Sequence, residues 1–179
     1  MDTNQDIEEI IFGNGCFWCT EAVFAMIKGV VEVSPGYSGG HVANPTYEQV
    51  SGGNTGHAEV IKIVYHPDQV SFEEILQVFF TTHDPTSLNR QGNDVGPQYA
   101  SVIFYKTERQ KEKAEHYIKV LSKAYTKPIV TRIEPFKEFY PAEDYHKKYY
   151  EFHKDAPYCE LVIAPKIEKV ETKFKNLLK

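Results

Sequence analysis

Cysteine is scarce in this sequence. Three occur in 179 residues, Cys16, Cys19 and Cys159. That is too few for a disulfide scaffold and leaves catalysis, redox chemistry or plain burial. Long apolar runs are absent too, so no segment is expected to cross a membrane. A basic excess is missing: 20 Lys and Arg stand against 25 Asp and Glu, a net charge of -5. This argues against a general nucleic-acid surface. The start, MDTNQDIEEI, lacks the basic residues and apolar run of a secretory signal, so a soluble cytoplasmic protein is expected. The seven histidines show no second His or Cys at a zinc-binding spacing, so no metal is expected. No phosphate-cradling GxxxxGK[ST] occurs. SPGYSGG reads as a turn.

What is present is globular: 41% hydrophobic and 25% charged residues, with 12 Tyr and 11 Phe. No low-complexity linker or repeat divides the chain, and its length suits one domain over 1–179. EEIIFGNG reads as a strand ending in a glycine turn, and CFWCTEAVFAMI as a helix starting near Cys16. GVVEVSPGYSGG and HAEVIKIVYHP read as strands. Ser71 with Glu74, and Thr107 with Gln110, have the spacing of capping boxes. After Thr107, residues Ala114, Tyr117, Ile118, Leu121 and Ala124 make an apolar stripe at helical spacing. Between these helices lies HDPTSLNRQGNDVGPQ, long and polar, the kind of loop that is functional or disordered. Strands near YASVIFY and KPIVTRIE and a helix near KIEKVETKFKNLLK complete the pattern. Mixed strands and helices predict an α/β or α+β domain.

GNGCFWC concentrates the chemistry. A thiol at a helix start faces free backbone N–H groups and the positive dipole end, so Cys16 is expected to ionise below the free value of about 8.5. Burial as an inert structural cysteine is the alternative. Phe17 and Trp18 are core aromatics, or the wall of a pocket for a small apolar group beside the nucleophile. Glu59 falls on the strand face of Ile61, Ile63 and Tyr65. A carboxyl there is either a solvent-reaching strand end or a buried group held protonated, able to act as a general acid.

GCFWC, TYEQVSGGNTGHAEVIKIVY, HDPTSLNRQGNDVGPQYASVIF and FYPAEDYHKKYY together resemble the A-type peptide methionine sulfoxide reductases. The similarity runs from about residue 8 to about residue 165, leaving a helical tail over about 166–179. The resemblance implies a two-layer α/β sandwich around a mixed sheet. It implies reduction of methionine S-sulfoxide, free or in proteins, to methionine, with no bound cofactor and with thioredoxin or another thiol as external reductant. It puts Cys16 at the nucleophile position and Glu59 at that of the acid protonating the sulfoxide oxygen. Tyr47 and Tyr99 match phenols that hydrogen-bond that oxygen, Phe17 and Trp18 the aromatics that receive the substrate methyl, and Asp94 a polar support. Gly56 and His57 flank the acid as the family pattern expects. A monomer is expected.

The likeness is least regular around recycling. Many relatives have Gly where Cys19 stands, and the family's extended cysteine tail is absent beyond Cys159. Cys159, in APYCELVIAP, lies where relatives often place a recycling cysteine; it is preferred here over Cys19 as partner of a Cys16 sulfenic acid. Alternatively Cys159 opens a buried strand, or an external thiol reduces the sulfenic acid directly. Two rival functions remain: a thioredoxin-like dithiol exchanger built on Cys16 and Cys19, and a non-catalytic peptide-binding module.

Overall fold

A computed structural model describes residues 6–179; residues 1–5, part of the acidic start, lie outside the described residues. The first strand, β1 (Glu8–Asn14), runs between β3 (Ala58–Tyr65) and β6 (Ser101–Tyr105), antiparallel to both. β2 (Val30–Ser38) lies beyond β3, and β8 (Phe139–Pro141) forms one edge. At the other edge β7 (Arg132–Pro135) pairs parallel to β6, which makes the sheet mixed. β7 is shorter than the sequence suggests, because KPIV stays outside the ladder.

Alternation on the strands separates two apolar faces. Phe12, Ile61, Ile63 and Ile103 turn toward the helices. Ile11, Val60, Val102 and Phe104 turn the other way, beneath Phe136 and Phe139. The helical layer holds α1 (Phe17–Phe24), α3 (Phe72–Thr81), α4 (Glu108–Leu121) and α6 (Ala164–Lys173), which contribute Phe24, Phe79, Ala114 and Val170 to the main core. Among the described residues no helix is long and apolar enough to cross a membrane.

The Ser71 capping box is complete: its hydroxyl accepts from the Glu74 N–H, and the Glu74 carboxylate accepts from the Ser71 N–H at 2.8 Å. The Thr107 box is half formed. Thr107 caps α4, but the Gln110 side chain accepts from the Lys106 N–H and donates to the Glu9 carbonyl, so it ties the helix to β1. Ala124 falls beyond the end of α4 and is exposed.

The loop predicted to be functional or disordered is folded. It carries a two-residue hairpin, β4 (Arg90–Gln91) with β5 (Asp94–Val95), and a 3-10 turn over Pro97–Tyr99. Two short elements escape a periodicity reading, α2 (Tyr47–Ser51) and α5 (Tyr149–Phe152).

The strand alternative for Cys159 is corrected. Cys159–Ile163 is a π-helical turn that runs directly into α6, so the terminal helix starts before residue 166 and ends at Lys173. Cys159 and Ile163, four apart, are both fully buried, while Leu161 between them is 76% exposed. That spacing is helical rather than alternating. Pro165 has no N–H and its ring would collide with the Leu161 carbonyl, which favours a widened turn at this point.

Candidate active site

β1 delivers the chain to the site, and Gly15 turns it. Gly15 has φ +109°, where side chains are strained, and an added Cβ would come 3.0 Å from the Gln91 side chain. Replacing Gly15 with alanine is expected to destabilise the fold by about 1–3 kcal/mol and to slow sulfoxide reduction by displacing Cys16. Urea denaturation and steady-state kinetics check this. Past Gly15, Cys16 is the N-cap of α1, and its carbonyl accepts from the Cys19 N–H at 3.2 Å. Thr20 ties back to Asn14 through its hydroxyl, which fixes the helix start on the end of β1.

Glu59 reaches this helix start from β3. It is 1% exposed, so the solvent-reaching alternative is excluded. Its Oε1 accepts from the Phe17 N–H at 3.2 Å, while its Oε2 has no partner. Burial raises its pKa to about 8, against the opposing pull of the Phe17 N–H; Asp94 and Cys19 add to the rise. The group is therefore a neutral acid at neutral pH, with one oxygen committed to the backbone and the other available to donate.

Next to it Cys16 packs against Cys19, one helical turn on. Burial pushes the Cys16 thiol well up, and neighbouring Cys19 and the Glu59 charge act in the same direction. This reverses the expectation of a lowered Cys16: loss of solvation outweighs the end of a two-turn helix. Cys19 moves the other way, to about 7, drawn down first by neighbouring Cys16. Neighbouring thiols titrate as a pair, and the lower value of the two, near 7, falls to Cys19. Cys159 packs against the same cluster, fully buried beneath Cys19.

The aromatic residues build a box around this pair. Phe17 is buried at the floor, 6.5 Å between centroids from Trp18 and 6.4 Å from Tyr47. The Trp18 indole lies flat on Tyr149, 3.7 Å between centroids and 7° between planes, and its N–H donates to His146 Nδ1 at 3.0 Å. Burial lowers the His146 pKa, so the ring is neutral. Tyr47 opens α2; its N–H donates to Glu143, which also accepts from the Tyr37 hydroxyl. Burial holds the Tyr47 phenol up, at about 12, and raises that of Tyr99 as well; the Glu59 charge reinforces both. Both phenols therefore remain hydrogen-bond donors. Asp94, on β5, accepts from the Tyr158 hydroxyl at 2.7 Å, and that hydroxyl lies 3.7 Å from the Cys19 sulfur. His57 is a structural residue: its Nδ1 accepts from the Gly40 N–H and its Nε2 lies 2.7 Å from the Val42 carbonyl, which anchors the loop before β3.

Glu59, Phe17, Trp18, Tyr47, Tyr99 and Asp94 thus surround Cys16 and Cys19, whereas His57 and Gly56 belong to the loop before β3. Sequence reasoning missed Tyr158, His146, Tyr149 and Glu143. His146 and Trp18 are separated by 128 positions. FYPAEDYHKKYY marked this segment as part of a pattern, but nothing in it said which side chain meets Trp18.

A helix-start cysteine beside a neutral buried acid, two phenols and an aromatic box is the arrangement of a thiol-dependent enzyme that can donate a proton to its substrate. Comparison with known proteins narrows this. The family described as peptide methionine sulfoxide reductase matches residues 8–178. The MsrA of Saccharolobus solfataricus is 53% identical over 97% of this chain and 98% of its own. Among solved structures, the methionine sulfoxide reductase A of Corynebacterium diphtheriae aligns with a TM-score of 0.76 at 38% identity, over 86% of this chain and 78% of that one. Reduced Mxr1 of Saccharomyces cerevisiae aligns with a TM-score of 0.80 at 31% identity, over 87% and 91%. The chain belongs to the peptide methionine sulfoxide reductases. It is an oxidoreductase that converts methionine S-sulfoxide to methionine at the expense of thiols, and the dithiol-exchanger alternative is not favoured.

Proposed function

We propose that Cys16 attacks the sulfoxide sulfur while Glu59 protonates the oxygen, with Cys19 as the first resolving thiol. The observation that carries this reading is the buried, neutral Glu59 with Oε2 unpartnered beside the Cys16 end of α1. Sulfoxide oxygen leaves poorly unless protonated, and the Tyr47 and Tyr99 phenols stabilise the charge that grows on it. Phe17 and Trp18 hold the substrate methyl, and Asp94 supports the site through Tyr158. Oxygen passes from the substrate to Cys16: thiol and sulfoxide become sulfenic acid and methionine. Cys19 then attacks the Cys16 sulfur, forming a disulfide and releasing water.

Two observations favour Cys19 over Cys159 at that step. Cys19 packs against Cys16 one helical turn away, and its pKa is lowered to about 7. Cys159 is fully buried and its pKa is raised, first by burial and then by Cys19. An external thiol must open the disulfide. Mxr1 has been solved in complex with Trx2, and a thioredoxin is the proposed reductant here. The three free cysteines suit a reducing compartment, and we assign the protein to the cytoplasm as a single-domain monomer acting on free and protein-bound methionine sulfoxide.

Disulfide mapping tests the resolving step. Reduced protein given one equivalent of methionine sulfoxide is expected to yield a Cys16–Cys19 bond by mass spectrometry. Cys19→Ser should still release about one methionine per chain in a single turnover while its thioredoxin-coupled turnover collapses. A Cys16–Cys159 bond in the parent protein would transfer the role to Cys159.

A further inference from the structure

The aromatic box accounts for the sulfoxide head of the substrate but leaves a second compartment open beside Cys16. A cleft of about 570 Å³ runs outward from Cys16. One wall is Pro157, Leu161 and Val162, from the turn before α6; the other is Gly92, Asn93 and Asp94, from the β4–β5 hairpin. Phe17, Glu59, Tyr47 and Tyr99 do not line it. Leu161 is 76% exposed. A side chain of this size left in water is ordinary by itself, but this one lines an opening that includes the reacting cysteine. Two carboxylates, Asp84 and Asp94, and one ammonium, Lys166, also line it.

We propose that this cleft seats a residue adjoining methionine sulfoxide in a polypeptide substrate, and that Leu161, with Val162 and Pro157, selects an apolar side chain there. The proposal rests on Cys16 being the sulfur that attacks the substrate. A sulfoxide side chain bound at Cys16 must lead its own backbone out of the site, and the cleft is continuous with Cys16. Its volume exceeds what one side chain fills and lies in the range of ordinary ligand pockets. An apolar wall without a matching charge rewards burial of apolar surface and discriminates little by charge. Free methionine sulfoxide, which has no neighbours, leaves the cleft empty.

The experiment measures single-turnover methionine formation by the full chain with free methionine sulfoxide, and with capped tripeptides in which leucine or glycine precedes or follows the sulfoxide residue. Parent protein is expected to favour one leucine peptide over its glycine counterpart by roughly fivefold or more in kcat/KM. Leu161→Ser should bring that ratio close to one and leave free methionine sulfoxide unchanged. Leu161 is too exposed for this change to threaten folding, and melting temperature confirms that. Equal rates for leucine and glycine peptides in the parent protein would overturn the proposal. So would an equal effect of Leu161→Ser on every substrate, or an effect seen only in thioredoxin-coupled turnover, which would make the cleft a reductant surface. Absence of turnover with all substrates, free methionine sulfoxide included, would instead strike at the Cys16 assignment.

Discussion

Glu59→Gln is expected to slow the reductase step by about 10²- to 10⁴-fold, the usual worth of a positioned general acid. Glutamine keeps the shape and can still accept from the Phe17 N–H, but it has no proton to transfer. The fold should survive, because the parent side chain is neutral already. The pH dependence carries the sign of the argument. Glu59 is protonated below about 8 and loses its proton as pH rises through that value. The first thiolate of the cysteine pair forms near 7. Single-turnover rate in the parent should therefore climb to about pH 7 and fall above about pH 8. In Glu59→Gln the alkaline limb should vanish, leaving a low plateau. A near-parental rate, or an unchanged alkaline limb, would remove Glu59 from the acid role.

The same group links stability to pH. Its native pKa lies above the ordinary carboxyl value of 4.5, so between these pH values the folded chain binds the proton and the unfolded chain does not. Its contribution is complete below about pH 4.5 and is lost as pH rises to about 8, by up to about 1.4 kcal/mol per pH unit. Glu59→Gln should lack this loss. Urea denaturation at pH 5 and pH 8.5 should show the variant gaining on the parent at the higher pH. An inactive enzyme that is more stable in alkali is the expected signature of an acid kept buried for chemistry rather than for folding.

Cys16→Ser is expected to abolish methionine formation to the limit of detection. Serine oxygen cannot take up the substrate oxygen to form a sulfenic acid, so no step replaces the lost one. Cys19 is one helical turn away and has the lower pKa, but it is buried behind Cys16 and should not substitute. Residual stoichiometric reduction by Cys16→Ser would show that Cys16 is not the attacking sulfur.

Much of the architecture was legible locally. Alternation marked β1, β2 and β3, and the Ser71–Glu74 spacing marked α3 with its reciprocal cap. Placement of Glu59 on an apolar strand face followed from a period of two. Short elements were not legible, because α2 and α5 span five and four residues and show too little periodicity. The loop after α3 looked unstructured because its hairpin has only two residues in each strand.

By itself the sequence determined the mixed strand and helix content, the place of Cys16 at a helix start, and the family whose ordered motifs it shares. Tertiary structure alone decided the protonation of the site. The helix start argued for a lowered Cys16, but desolvation raises it and the lower pKa falls to Cys19. It also decided the meeting of Trp18 with His146 and of Asp94 with Tyr158. The reason is physical: periodicity and capping act within a few residues, whereas desolvation and the sharing of a proton depend on whatever the fold packs around a group.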